Sequence, residues 1–469
     1  MIGVTLTAAL AVGMSAIFFG ARLPRDHLGW TLEGARKTVH VMCALGGAGL
    51  IFMVPDRPVL AAAALLAAAA IWLGERLGLR SGVTDRDRSL AGPVLGFAAY
   101  GVLVAFAPRL EAVAAAFVVL AVGDTAACWA GRRWGRRRID PRRPKTWIGA
   151  GAFALTAFPP LLAILVLFQG ATLQVLLLAT VTTLAAAALE ACLSGAIDNF
   201  VVPVAVTILL TLGQGWAGDP VVAGAQLLAV AGVLALAAWR RWLRPEGLLA
   251  AGVVGLVVFM AGGWRAIVVL LVFFIASSIL TRLRPAMTVQ SDAKLGRDAA
   301  QVGAWTVAPV AALALAPAEV AATAFCGAVA AACADTFATE IGRLSPAAPR
   351  LITTGARVPR GTSGGVTGLG LMGSALGAAA VAATALGCGL ISARQAGWVV
   401  GAGLLASLLD SWLGAALQRR YLCPCHGESE EATCPSARRY RGVSWLSNAG
   451  VNAVVSAAAC AAEAAGALL

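Results

Sequence analysis

The stretch "CADTFATEIGR", residues 333–343, places an aspartate, a threonine and a glutamate at the end of a long apolar run. An ionised side chain in the core of a bilayer costs at least about 2.5 kcal/mol, so such residues usually face a polar cavity and mark a functional site. The stretch therefore predicts a helix that crosses a membrane and ends at such a site.

The composition extends this prediction to the whole chain. Of its 469 residues, 59% are hydrophobic and 13% are charged, and the mean hydropathy is +0.83. These values differ from those of an average soluble domain. Since each crossing needs roughly 20 apolar residues, we predict an all-α, polytopic integral membrane protein with about 16 transmembrane helices. We expect their centres near residues 12, 46, 67, 98, 121, 158, 180, 206, 230, 254, 273, 309, 327, 377, 404 and 456.

The basic residues predict the orientation. When the loops between the predicted spans are taken alternately, all of the 36 Lys and Arg residues lie in one set except Arg57, Arg109, Arg265 and Arg394. By the positive-inside rule this set faces the cytoplasm, with both termini outside, as in a plasma membrane protein. The first apolar run, which has no positive charge before it, reads as a span and not as a cleaved signal. The net charge of +13 thus indicates topology and attraction to anionic membrane lipid, and no nucleic-acid motif accompanies it.

An internal repeat predicts the domain organisation. "DTAACWAGR" at 124–132 and "DTFATEIGR" at 335–343 share D-T-x-A-x-x-x-G-R without a gap, and "RKTVHV" and "RDAAQV" precede them in the same direction. We infer two homologous parallel-repeat halves, residues 1–240 and 241–469. The alternative is chance agreement between helices rich in Ala and Gly.

Acidic residues gather at the predicted cytoplasmic face of both halves: Asp124, Glu190, Asp198, Asp335 and Asp410. The spacing of Glu190 and Asp198 predicts one shared helical face. Hydrogen bonding between helices explains many single polar residues, but a convergence of carboxylates beside Lys and Arg favours a phosphate substrate bound through Mg²⁺. The P-loop motif is absent, and "GLGLMG" at 368–373 lies inside a span, where we expect it to serve helix packing.

The loop "CPCHGESEEATC" is a candidate structural zinc site. Three cysteines and one histidine lie close together there, although an ordinary polar loop is the alternative. The candidate ligands are Cys423, Cys425, His426 and Cys434.

Several motifs together carry a family resemblance. Through "EGARKTVH", "GDTAACWAGRRWG", "RPKTWIG" and "LEACLSGAIDNFVVPV", the first half resembles the CTP-dependent prenol kinases, the family of phytol kinase and dolichol kinase. Through "RDAAQV", "ADTFATEIGRLSPAAPRLITTGARVPRGTSGGV", "SLLDSWLGAALQRRYLCP" and "RGVSWLSNAGVN", the second half resembles the phytyl-phosphate kinases, from whose pattern Trp305 and Ala449 depart.

The resemblance implies a fusion of two kinases. An isoprenoid alcohol such as phytol, geranylgeraniol or farnesol would become its monophosphate and then its diphosphate, in isoprenoid salvage. The phosphate donor would be CTP or another nucleoside triphosphate, with Mg²⁺. A membrane cytidylyltransferase that makes a CDP-lipid, and a lipid transporter or flippase, remain as alternatives.

In the first half we expect Asp124 to act as base or metal ligand, with Glu190 and Asp198 completing the metal shell. Nucleotide phosphates would meet Arg36, Lys37 and Lys145, and His40 would orient a carboxylate. Further candidates are Glu33, Thr125 and Asn199.

In the second half we expect Asp335, Glu340 and Asp410 to hold Mg²⁺. An acceptor that is already an anion needs cations and close backbone N–H groups more than it needs a base. The phosphate-binding candidates are Arg350, Thr353, Thr354, Gly355, Arg357, Arg360, Gly361, Thr362, Gly364 and Gly365, and further candidates are Arg297, Gln301, Thr336, Gln418, Asn448 and Asn452.

Overall fold

The computed structural model describes residues 2–20, 31–77, 91–140, 144–193, 196–214, 220–282, 299–423, 427–429, 438–444 and 446–467. These ranges form fifteen helices and five short strands, which confirms the prediction of an all-α membrane protein. The helices are α1 Ile2–Gly20, α2 Leu32–Met53, α3 Arg57–Arg76, α4 Ala91–Phe106, α5 Leu110–Trp134, α6 Trp147–Gln169, α7 Leu173–Cys192, α8 Asp198–Gln214, α9 Pro220–Trp239, α10 Pro245–Arg282, α11 Ala299–Leu315, α12 Ala318–Gly342, α13 Gly368–Gly387, α14 Ala393–Ala416 and α15 Asn448–Ala467.

The predicted span centres all lie inside these helices. Two of them, near 254 and 273, share α10, whose backbone is interrupted at Gly263 with φ +64°. Among the described residues, nine helices are long and apolar enough to cross a membrane, and several shorter apolar helices accompany them. The exact number of sixteen crossings stays a prediction.

The chain divides into two compact units. Unit 1 is Met1–Ala225 and unit 2 is Gln226–Leu469, so the boundary lies inside α9, whereas the sequence placed it near residue 240. The five strands belong to unit 2. β1 Arg350–Leu351 pairs with β2 Gly365–Val366, and β3 Arg420–Cys423 lies between β4 Gly427–Ser429 and β5 Arg438–Arg441.

Helix α5 is the centre of unit 1 and packs against α2, α6 and α8. Small side chains make this possible, because alanines 112 and 114–116 are buried and allow neighbouring backbones to approach closely. A Cβ atom at Gly123 would lie 2.7 Å from the ring of the buried Phe153 on α6. The apolar half of α5 is thus fixed in place, and its C-terminal part carries the repeat motif with Asp124.

Helix α12 has the same central place in unit 2 and packs against α11, α13, α14 and α15. Its alanines 328, 330–332 and 334 are almost wholly buried. Cβ atoms at Gly373 and Gly377 of α13 would lie 2.7 Å from the Phe337 carbonyl and 2.8 Å from the Cys333 carbonyl. The prediction that "GLGLMG" serves helix packing is confirmed.

A similar contact between two glycines occurs in each unit. The motif glycine Gly131 faces Gly149, since a Cβ atom at Gly131 would lie 3.6 Å from the Gly149 Cα atom. In unit 2 the equivalent distance, from Gly342 to the Gly370 Cα atom, is 3.2 Å. Both partner glycines lie three residues after a threonine that caps the helix N-terminus. This likeness supports the inferred duplication, which itself stays a prediction.

Candidate functional site

In unit 1, α2 and α5 bring a lysine to the motif aspartate. The Lys37 Nζ atom lies 2.6 Å from the Asp124 Oδ2 atom, and their side chains are 14% and 16% exposed. The Nε2 atom of His40 is 3.4 Å from the same oxygen but makes no hydrogen bond in the described structure. The negative charge of Asp124 is therefore balanced by a cation from α2.

A second buried charge cluster is formed by Lys145, Glu190 and Asp198. The Lys145 Nζ atom donates a hydrogen bond to the Glu190 Oε1 atom and lies 3.4 Å from the Asp198 Oδ2 atom. The prediction of one shared helical face is wrong, because α7 ends at Cys192 and α8 begins at Asp198. Asp198 is the first residue of α8 and accepts a hydrogen bond from the Asn199 N–H, an arrangement that favours an acidic residue at a helix N-terminus.

Lys145 lies just before α6, outside the membrane-spanning helices. Burial by itself lowers the pKa of an ammonium group, but the attraction of Glu190 and then Asp198 outweighs it and raises the pKa of Lys145 above the ordinary lysine value. Lys145 is therefore protonated at neutral pH and holds the two acidic residues together.

A further group of charges lies closer to the surface. The Arg36 Nε atom donates to the Glu33 Oε1 atom at 3.2 Å, and the Arg132 guanidinium lies 3.2 Å from the Glu33 Oε2 atom. The Cys128 thiol contacts the same carboxylate at 3.6 Å. Since the side chains of Arg36 and Arg132 are 43% and 58% exposed, they are accessible to an incoming anion.

All of these charged side chains except Glu33 line the polar end of a cavity of about 1270 Å³. The cavity continues between α2, α4 and α5, where Phe97, Tyr100 and Phe117 line it. Met42 and Leu45 also line it, although they are 54% and 42% exposed, so the cavity opens to the side along α2. The cavity, which is larger than a usual small-molecule pocket, thus joins a charged end to an apolar compartment.

Of the remaining candidates of unit 1, one lines the cavity and one bonds within its own helix. Asn199 lines the cavity beside Gly92. Thr125 donates its hydroxyl to the Ala121 carbonyl of its own helix at 2.7 Å. In unit 2, Thr336 bonds in the same way to the carbonyl four residues before it, at 3.0 Å. Such bonds satisfy a hydroxyl inside a helix, so both threonines serve their own helices.

In unit 2 the motif aspartate meets a second acidic residue. The carboxyl groups of Asp335 of α12 and Asp410 of α14 lie next to each other. With the Asn452 amide oriented to suit its neighbours, its nitrogen donates to the Asp410 Oδ1 atom at 3.2 Å and its oxygen accepts from the Trp305 Nε1 atom at 2.9 Å. Trp305, which the sequence marked only as a departure from a pattern, therefore belongs to the site.

Gln418 extends this network. It is 2% exposed, accepts from the Ser363 hydroxyl at 2.6 Å and donates to the Asn448 Oδ1 atom at 3.4 Å. The Asn448 carbonyl in turn accepts from the Asn452 amide at 3.1 Å. The structure thus joins three of the predicted residues to Asp410.

The loop between α12 and α13 carries the basic and glycine candidates. Gly355, Gly361 and Gly364 have positive φ values, and a Cβ atom at Gly364 would lie 2.4 Å from the Ala415 Cβ atom. Only glycine fits position 364, which places the loop against α14 one turn beyond Asp410. Arg360 is fixed by the Ser345 carbonyl at 2.6 Å.

The other loop candidates are placed as follows. Arg350 donates to the Gly355 carbonyl at 3.1 Å, and the Thr362 hydroxyl donates to the Pro359 carbonyl at 2.8 Å. The Gly365 N–H donates to the Thr362 carbonyl at 3.0 Å. The exposed residues of this loop include Thr353, Thr354 and Arg357.

The acidic residues of the site fit a metal ion only if a bound substrate also coordinates that ion. Within the described ranges, no three His, Cys, Asp or Glu side chains converge closely enough to enclose a metal. Glu340 lies five residues after Asp335 on α12 and contacts Arg343 at 3.4 Å. Mg²⁺ is commonly held by one or two carboxylates together with substrate phosphates. Asp124 can supply one such carboxylate, and Asp335 and Asp410 can supply a pair.

Some predicted residues are not tested. Arg297, Cys425, His426 and Cys434 lie outside the described residues, so the zinc site stays a prediction, and of Cys423 only the backbone in β3 is described. Gln301 is exposed near the start of α11.

Comparison with known proteins agrees with this architecture. Residues 228–460 match the family described as integral membrane protein DUF92. A phytol kinase of Synechocystis is 30% identical over 224 residues, which cover 45% of this chain and 92% of the relative. The chain belongs to a phytol kinase-like family of integral membrane proteins.

Other relatives extend this family. An uncharacterized membrane protein of Methanocaldococcus jannaschii is 32% identical over 185 residues, which cover 38% of this chain and 76% of the relative. Protein PGR of Arabidopsis thaliana is 39% identical over 131 residues, 26% of this chain, and the chain spans only 46% of its length. No solved structure matches the chain.

Proposed function

We propose that unit 1 transfers the terminal phosphate of a nucleoside triphosphate, in the first place CTP, to an isoprenoid alcohol. The observation that carries this proposal is the cavity, which joins buried carboxylates and lysines to an apolar compartment with a lateral opening. A prenol has one hydroxyl on a long apolar tail, and this cavity offers both environments. The phytol kinase relative supports the same reaction class.

The acidic and basic residues of unit 1 would have different roles. Asp124 would accept the proton of the alcohol or hold Mg²⁺, and Glu190 and Asp198 would share that ion with the nucleotide. Mg²⁺ would neutralise the phosphate oxygens as charge develops. Lys37, Lys145 and Arg36 would face phosphate, and the burial of the charged groups would limit water at the reacting atoms. These sites would face the cytoplasm, with both termini outside.

We propose that unit 2 adds the second phosphate, so that the chain makes a prenyl diphosphate. The adjacent carboxyls of Asp335 and Asp410 support a metal-dependent site. The neighbouring loop offers arginines and backbone N–H groups at its glycines, which suit an acceptor that is already an anion. The resemblance of this half to the phytyl-phosphate kinases supports the same step.

The test uses the purified full chain in vesicles with prenol, Mg²⁺ and CTP labelled at either the α- or the γ-phosphate. We expect γ-label in lipid monophosphate and diphosphate, and CDP as the other product. Label from the α-phosphate in lipid, with release of pyrophosphate, would identify a cytidylyltransferase. Movement of prenol or its phosphates across the vesicle without any chemical change would identify a transporter.

A further inference from the structure

A turn formed by Ser363 and Gly364, in the loop before α13, suits a phosphate oxygen. In the described structure the backbone N–H groups of these two residues make no hydrogen bond, and Gly364 has a φ value of +79°. Successive N–H groups beside a residue in the left-handed conformation form a concave site that attracts anions. The Ser363 hydroxyl has a different use, because it donates its proton to the Gln418 Oε1 atom at 2.6 Å.

Gln418 joins this turn to the carboxyl pair of unit 2. Its side-chain nitrogen donates to the Asn448 Oδ1 atom at 3.4 Å. The Asn452 amide, in the orientation that suits its neighbours, then donates to the Asn448 carbonyl at 3.1 Å and to the Asp410 Oδ1 atom at 3.2 Å. A continuous chain of polar contacts thus runs from the turn, through Gln418, to Asp410.

The surroundings of Gln418 leave its side chain little freedom. The residue is 2% exposed. A Cβ atom at Gly414 would lie 2.5 Å from the Ser363 Oγ atom and 3.3 Å from the Gln418 Oε1 atom, so the hydroxyl reaches the amide across the bare backbone of α14. The segment after β5 is equally close, since a Cβ atom at Gly442 would lie 2.1 Å from the Gln418 carbonyl oxygen. Gln418 is therefore held between the loop and this segment.

We propose that Gln418 is a positioning residue for the second phosphoryl transfer: its amide keeps the phosphate-binding turn at a fixed distance from Asp335 and Asp410. This inference rests on the proposed function of unit 2. Phosphoryl transfer depends mainly on the placement of the reacting groups, and small displacements slow it strongly. Since the turn binds through backbone N–H groups, loss of the Gln418 amide should misplace the phosphate without removing its binding site.

The first measurement determines kcat and KM for the conversion of supplied prenyl monophosphate to diphosphate, with CTP and Mg²⁺, by the full chain in vesicles. Gln418→Met keeps the volume of the side chain and removes both hydrogen bonds, whereas Ser363→Ala removes only the contact with the turn. In each variant we expect kcat to fall by about tenfold or more, and KM for prenyl monophosphate to stay within about threefold. An unchanged kcat, or a raised KM in place of the lower kcat, would overturn the inference.

A variant that carries both substitutions separates one shared link from two independent effects. Ser363→Ala and Gln418→Met interrupt the same chain of contacts, so together they should be no more than about twofold slower than Gln418→Met alone. If the two losses in kcat multiply, the residues act independently and the inference is wrong. Ser363→Ala alone carries the test if Gln418→Met fails to fold, because Ser363 lies on a partly exposed loop.

Ser407→Ala is the matched control for a lost hydrogen bond inside unit 2. The Ser407 hydroxyl lies 2.8 Å from that of Ser374, both side chains are buried, and the pair lies outside the chain of contacts to Asp410. Thermal unfolding in detergent should show that Ser407→Ala is destabilised at least as much as Ser363→Ala, while its kcat stays within about twofold of that of the natural sequence. Equal slowing in the two variants would overturn the inference, whereas absence of diphosphate with the natural sequence would overturn the proposed function of unit 2.

Discussion

The two units place the same motif aspartate in different electrostatic surroundings. In unit 1, Asp124 contacts Lys37, and Lys145 lies between Glu190 and Asp198. In unit 2, Asp335 contacts another acid, Asp410, which is joined to Trp305 through an amide. The motif therefore fixes the position of the carboxylate, and the neighbouring helices decide which partner it receives.

This difference agrees with the different acceptors that we propose. A neutral alcohol needs an ionised carboxylate beside its hydroxyl, and nearby lysines favour the ionised form. An anionic phosphate acceptor needs added positive charge, which a metal on paired carboxyls and an arginine-containing loop supply. Each of the following substitutions changes one residue of one of these two sites.

The largest effect is expected from Asp124→Asn. The substitution keeps the shape of the side chain but removes the negative charge, so phosphorylation of the alcohol should fall by at least about 10³-fold, or about 4 kcal/mol of barrier. The assay is lipid monophosphate formation from prenol. Asp335→Asn is the matched control, which should leave this first step unchanged and let monophosphate accumulate.

A smaller effect, on stability, is expected from Lys145→Met. Without the ammonium group, Glu190 and Asp198 remain buried without their common cation, which should lower the free energy of unfolding by about 3 kcal/mol or more. Arg132→Met is the control, because its exposed ion pair with Glu33 should contribute less than about 1 kcal/mol. Thermal unfolding in detergent at pH 7 compares the two, and equal losses would contradict the account.

The pH range for this comparison follows from the raised pKa of Lys145. Its stabilising contribution is complete below the ordinary lysine pKa of about 10.4. The contribution is lost only as the pH rises through the higher value of the folded state. Measurements at pH 7 therefore see the whole effect.

The corresponding change in unit 2 is Trp305→Phe. The ring is kept but the Nε1–H that donates to Asn452 is lost, which should cost about 1–2 kcal/mol and slow the second phosphorylation by roughly tenfold. Trp264→Phe is the control in the same unit, since Trp264 is 54% exposed. A slower first step in Trp305→Phe would contradict the separation of the two sites.

The sequence was a good guide to the helices and to the motif aspartates. Each helix in the described part of the chain contains at least one of the span centres predicted from the apolar runs, and the repeat motif led to Asp124 and Asp335. The break between Glu190 and Asp198 was missed, because helical spacing alone cannot show where a helix ends when an acidic residue starts the next one.

The basic and aromatic partners of the acidic residues could not be predicted from the sequence. Lys145 meets Glu190 only after α6 and α7 pack, and Trp305 meets Asn452 only after α11 and α15 pack. The spacing of residues along the sequence does not show which residues of different helices meet. A tryptophan in a predicted span indicates a nearby hydrogen-bond acceptor, because the N–H of a buried indole usually has a partner.

The most direct test supplies prenyl monophosphate and CTP to the Asp124→Asn variant and measures prenyl diphosphate. If each unit has its own phosphoryl-transfer site, the rate should stay within about twofold of that of the natural sequence, because Asp124 takes no part in the second step. Loss of diphosphate formation in a variant that remains folded would contradict two separate sites and indicate one shared site.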